Sequence, residues 1–149
     1  MHWMILPLKR YVDFSGRSRR MEYWMFALFV LAVYAICFVL MLAGGLSLAA
    51  LQSETIAGGP GPLFYLGAGL FGLFAIGIIV PSIAVNVRRL HDRNMSGWWY
   101  LAFIVLANVP FVGVLVAIGY LVLMFLPGTP GPNRFGEDPK DPTQASVFE

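Results

Sequence analysis

Residues 98–126 read WWYLAFIVLANVPFVGVLVAIGYLVLMFL, without one charged side chain. As a single straight helix this stretch would run about 44 Å, against a hydrocarbon core of about 30 Å. Two full crossings would need about 40 residues, more than the stretch holds. Asn108-Val109-Pro110, with Gly113 beyond, interrupts it near the middle. Two arrangements fit: one long crossing kinked at Pro110, or a helical hairpin with short arms that turns near Asn108–Gly113. The single crossing is the preferred one of the two.

The stretch lies inside a longer uncharged run, Asn94–Asn133. Tyr23–Ser53 is a second such run and Thr55–Val87 a third; together the three make up most of the chain. The chain is 58% hydrophobic and only 12% charged, about half the charge of an average soluble domain. This excludes a soluble globular enzyme, a disordered chain and a nucleic-acid-binding domain. It indicates an all-α integral membrane protein with three hydrophobic membrane segments, Trp24–Ala43, Leu63–Val85 and Trp98–Leu126. Trp24–Ala43 is longer than a signal-peptide core and is preceded by 23 residues, so a retained helix is expected.

The intervening pieces are read from their breakers and caps. Residues 1–23 form a basic cytoplasmic or interfacial segment. Met4, Leu8, Tyr11 and Val12 stand at helical spacing, and Pro7 opposes a helix; an amphipathic helix in the headgroup layer and an unstructured leader are both open. Ser18 is expected to cap the first span, and Glu22 to pair locally with Arg19. Gly58-Gly59-Pro60-Gly61-Pro62 breaks the chain before the second span. Ala68 and Gly72 form a small-xxx-small pair for close helix approach, and Pro81 should bend the last turn. Residues 86–97 form a basic loop, and Trp98, Trp99 and Tyr100 an aromatic belt. The tail, 127–149, is too rich in Pro and Gly for a regular helix or central strand. The lone Cys37 is an apolar filler.

Charge sets the expected orientation. Residues 1–23 carry five Lys/Arg and residues 86–97 carry three, whereas residues 44–62 carry none and one acid, Glu54. The positive-inside rule then places the N-terminus and the 86–97 loop in the cytoplasm and Glu54 outside. The tail, with only Arg134 and Lys140, is not decided. A single third crossing sends it outside, and a hairpin keeps it inside.

Two basic clusters therefore share a face: Arg17, Arg19 and Arg20, and Arg88, Arg89 and Arg93. Guanidinium groups pair bidentately with phosphates. The plainer reading is topology determinants and headgroup anchors; the sharper one is a preformed site for a lipid phosphate or an acidic partner. His91-Asp92 invites an acid–base reading, but adjacent helical residues point apart, and Arg88 or Arg89 reaches Asp92 at i,i+4 or i,i+3. A structural Arg–Asp pair is preferred to a catalytic dyad. With only His2 and His91, no metal set is expected, nor any catalytic residue or cofactor. Asn108 either lines a pathway or caps the break at Pro110.

Three stretches taken together carry a resemblance. They are FSGRSRRMEYW at 14–24, RRLHD at 88–92 with SGWW at 96–99, and PGTPGPNRFGEDP at 127–139. In this order, from about Tyr11 to Pro142, the chain resembles the domain of unknown function 805 family, the YhaH-like bacterial inner-membrane proteins. The resemblance implies a bacterial inner-membrane location and no established activity. It also implies that the three stretches form a shared surface. Arg17, Arg19, Glu22, Arg88, Arg89, His91, Asp92, Asn133 and Arg134 are then expected to assemble into one polar cluster, which requires the hairpin form of residues 98–126. Two functions follow as expectations: a non-enzymatic module binding anionic lipid or a partner protein through a basic cytoplasmic face, or an oligomeric small-molecule or lipid facilitator. A homo-oligomer or a membrane-protein partner fits either, and an enzyme ranks third.

Overall fold

The computed structural model describes residues 2–45 and 60–140. Glu54, Gly58-Gly59 and residues 141–149 lie outside the described residues. Among the described residues there are five helices: α1 (His2–Lys9), α2 (Arg20–Ala43), α3 (Pro62–Asp92), α4 (Trp98–Ala107) and α5 (Val112–Phe125). Both α2 and α3 are long and apolar enough to cross a membrane. The chain divides into two compact units, Ala27–Ile79 and Met1–Phe26 with Val80–Glu149.

The Ala27–Ile79 unit pairs the α2 and α3 segments. Backbones approach closely at Gly67, where an added Cβ would lie 2.8 Å from the Cys37 carbonyl and 2.9 Å from Met41 Cγ. The Ala68/Gly72 pair is thus not the seam: a Cβ on Gly72 would meet nothing. One residue of helix rotation separates the two readings, since about 100° moves a residue off the contact face. Cys37 is buried at this seam. Tyr34 packs on Phe71 and Phe74 with ring centroids 4.8 and 5.3 Å apart. Leu31, Ile36, Val39, Leu73 and Ile76 stay exposed, an apolar surface of the kind that lipid or another protein covers.

In the other unit α1 forms, with Pro7 inside it and buried, and stops at Lys9, before Tyr11 and Val12. Ser18 does not cap α2. Its Oγ is buried without a hydrogen-bond partner, and its backbone N–H donates to the Arg88 carbonyl at 3.1 Å. The first half of the expected 86–97 loop is helical, because α3 continues through Asn86–Asp92. That extension puts Arg88, Arg89, His91 and Asp92 on one rigid end.

Residues 98–126 form a hairpin, not the single kinked crossing. Helix α4 ends at Ala107, Asn108–Phe111 reverse the chain, and Phe111 takes a left-handed φ of 63°. Pro110 supplies no N–H to continue a helix. Gly113 lets the arms close, since a Cβ there would sit 2.1 Å from the Ala107 carbonyl oxygen. Tyr120 packs against Phe103 and Tyr100 of the other arm, centroids 5.0 and 6.2 Å apart. Its hydroxyl donates to Asn86 Oδ1 of α3. Arms of 10 and 14 residues measure about 15 and 21 Å, so each is shorter than a bilayer core of about 30 Å.

Candidate functional site: a buried ionic cluster and a basic groove

The polar site is built at the end of α3. Arg88 and Arg89 are adjacent, so they leave the helix in different directions and serve different partners. Arg88 Nη2 donates to Glu22 Oε1 at 3.0 Å, joining α3 to the first turns of α2. Its Nη1 also reaches the carbonyls of Arg10, at 3.3 Å, and Asp13. Glu22 therefore pairs 66 positions away and not with Arg19. Arg89 bonds Asp92 on its own helix, and its Nη2 donates to the carbonyls of Met124, at 3.2 Å, and Leu126 at the end of α5.

Asp92 is the shared acceptor. Arg17 Nε meets its Oδ1 at 3.0 Å from the N-terminal segment, while Arg89 holds Oδ2. Arg17 then extends to the tail, donating to the carbonyls of Gly131 at 2.7 Å and Thr129 at 2.5 Å. Thr129 returns its N–H and its hydroxyl to the Asp92 carbonyl at 2.8 and 3.1 Å. Asn133 Nδ2 donates to the His91 carbonyl at 2.9 Å, and Arg134 to the Asn94 carbonyl at 2.9 Å. Arg17, Glu22, Arg88, Arg89 and Asp92 are all buried. Burial pulls the guanidiniums of Arg88 and Arg89 below their usual range, and Glu22 and Asp92 oppose that pull. Three buried guanidiniums thus meet two carboxylates, Asp92 serving both Arg17 and Arg89, and backbone carbonyls take up further donors, the hydrogen bonding under which buried ions persist.

His91 and Asp92 face different partners. Asp92 is held by two arginines, whereas His91 Nδ1 donates to the Gly16 carbonyl at 3.1 Å and its ring stacks on Phe135, 3.9 Å between centroids and 5° from parallel. Desolvation lowers the His91 pKa; the Gly16 carbonyl opposes this and Arg134 adds to it. The ring is thus clamped between the N-terminal segment and the tail. Asn108 donates its side-chain amide to the Ile104 carbonyl at 2.8 Å, closing its own helix end.

The remaining predicted cations lie outside this cluster. Arg19 sits over the Trp3 ring, 5.5 Å from its centroid, Arg20 Nη1 donates to the Phe125 carbonyl at 3.2 Å, and Arg93 to the Pro127 carbonyl. Arg19 and Arg20 line an open groove of about 410 Å³ with Met21, Trp24, Phe125 and Lys140. Sequence reasoning did not single out Thr129, Gly128 or Lys140. Thr129 and Gly128 stood in the tail stretch that carried the resemblance, but short polar residues in a loop give no sign of what they touch.

A family model described as a protein of unknown function, DUF805, matches residues 11–137. The inner membrane proteins YhaI and YhaH of Escherichia coli (strain K12) are each 41% identical over 140 residues, covering 94% of this chain and 97% and 98% of their own. The uncharacterized protein YiiR of the same organism is 35% identical over 82 residues, covering 43% of this chain and 56% of its own. No solved structure matches. The matched residues span the whole ionic cluster and the hairpin between its parts, and on that full-length similarity the chain belongs to the DUF805 family, whose full-length relatives here, YhaI and YhaH, are inner membrane proteins.

Proposed function

We propose that this protein is a non-enzymatic inner-membrane module that engages anionic lipid through a basic cytoplasmic face. In this reading α2 and α3 cross the bilayer, and α4 and α5 form a re-entrant hairpin. The N-terminal segment, the end of α3 and the tail then all lie in the cytoplasm. The observation that carries it is a division of labour among the cations. Among the described residues, Arg17, Arg88 and Arg89 are buried and ion-paired, while Lys9, Arg19, Arg20, Arg93, Arg134 and Lys140 have no ion-pair partner. The buried set organises the face, and the unpaired set is left to meet an anionic leaflet at about 1 kcal/mol per cation.

The test is lipid preference. Purified protein in mixed phosphatidylglycerol and phosphatidylethanolamine micelles or nanodiscs should retain phosphatidylglycerol preferentially by native mass spectrometry. Equal retention of the two lipids by the wild-type protein would refute the proposal.

A further inference from the structure

We infer that the groove between the start of α2 and the end of α5 is a binding site for the phosphate of an anionic glycerophospholipid, with Arg19, Arg20 and Lys140 as its cationic rim and Trp24 and Phe125 as its apolar floor. This rests on the reading that the basic face meets anionic lipid, and it assigns the place.

The first argument is the distribution of charge. Among the described residues, half of the six cations without an ion pair line this one groove, and no acidic side chain lines it. Like charges gather at a cost unless an anion joins them. The second argument is position. Arg20 opens α2 where the Tyr23–Ser53 uncharged run is about to begin, and Phe125 closes α5. That is the boundary where lipid phosphates lie and where aromatic rings are favoured. The third is organisation. Trp24 stacks on Phe125 with centroids 4.2 Å apart and planes 27° off parallel. Arg20 donates one nitrogen to the Phe125 carbonyl, and Arg19 rests on Trp3. These contacts hold both guanidiniums without neutralising them, which leaves donors for a phosphate. The fourth is chemical match. A free phosphate would leave the apolar surface that Met21, Trp24 and Phe125 present to the groove uncovered, whereas a glycerophospholipid offers its anion to the rim and its acyl chains to the floor.

The test compares two double variants in the same phosphatidylglycerol and phosphatidylethanolamine mixture. Arg19→Gln with Arg20→Gln should lower phosphatidylglycerol retention at least tenfold, and Lys140→Gln should lower it by a smaller factor. Arg93→Gln with Arg134→Gln removes the same charge elsewhere on the basic face and should lower it several-fold less than the Arg19/Arg20 pair does. Helical circular dichroism and tail hydrogen exchange report whether each variant folds. An equal loss in both double variants would mean diffuse attraction and overturn the site while leaving the lipid reading intact; no wild-type preference would overturn both. Displacement of the lipid by millimolar glycerol 3-phosphate or inorganic phosphate would reassign the groove to a soluble phosphate. Retention surviving in the Arg19/Arg20 variant would also overturn the site.

Discussion

Arg88 and Glu22 meet at 3.0 Å with side chains 0% and 3% exposed, joining two helices across 66 positions of sequence. Removing one member of a buried pair strands the other, at a cost of about 3–5 kcal/mol. Arg88→Met should destabilise the protein by that order, since the carbonyls of Arg10 and Asp13 lose their donor as well. Glu22→Gln keeps an acceptor and should cost less. The Glu22→Met, Arg88→Met double variant should recover part of the single Arg88→Met loss, because neither partner of this pair is then stranded as a lone buried charge. Unfolding in mixed micelles, followed by circular dichroism, measures all three.

Gly128 passes so close to Asp92 that an added Cβ would lie 2.1 Å from Oδ2. Gly128→Ala must therefore push the tail off the carboxylate and break the Thr129–Asp92 backbone bond. Amide exchange over 129–136 should rise about tenfold or more, a loss of roughly 1.4 kcal/mol or greater in local stability. Gly119→Ala, where a Cβ meets nothing, should leave exchange unchanged. Equal exchange in Gly128→Ala and wild type would mean that the tail does not rest on Asp92.

The clamp at His91 should be sensitive to acid. Its folded pKa lies below the ordinary 6.5, chiefly through desolvation. The unfolded segment then binds a proton more readily, so stability from this residue is present above pH 6.5 and is lost as pH falls through the folded value. Protonation also adds a cation near Arg134. Relative to the intrinsic amide rate, which itself falls with acid, exchange over 131–136 should rise between pH 7.5 and 5, and His91→Gln should flatten that dependence. An unchanged slope in His91→Gln would assign the acid response to other groups.

How much of this was legible before the structure follows from what each residue's neighbours were. The long apolar helices α2 and α3 were readable because a helix fit to cross a bilayer imposes one requirement on nearly every residue: an apolar side chain on an internally bonded backbone. The Arg89–Asp92 pair was readable as an i,i+3 contact. Arg88–Glu22 was not, because nothing local favours a partner on a different helix over Arg19 at i−3. The hairpin hung on Gly113 and Tyr120, whose roles depend on where Ala107 and Asn86 end up. The groove was hidden for the same reason: Arg19 and Arg20 are near Trp24 in sequence, but Phe125 and Lys140 reach them only after the chain reverses at Asn108–Phe111.

That reversal makes a topological prediction. If α4 and α5 are a re-entrant hairpin, Trp98 and Phe125 lie on one side of the membrane, and the tail is held against Arg17 and Asp92 on that side. A tail on the far side would have to abandon every one of these bonds and leave the buried Arg17 with Asp92 alone. In a Cys37→Ala background, Thr55→Cys should react with a membrane-impermeant maleimide in intact spheroplasts. Glu137→Cys, exposed in the tail, should react only after permeabilisation. Labelling of Glu137→Cys from outside would refute the shared cytoplasmic face. Protection of Thr55→Cys together with labelling of Glu137→Cys would place Thr55 inside and reverse the orientation drawn from the basic residues of 1–23 and 86–97.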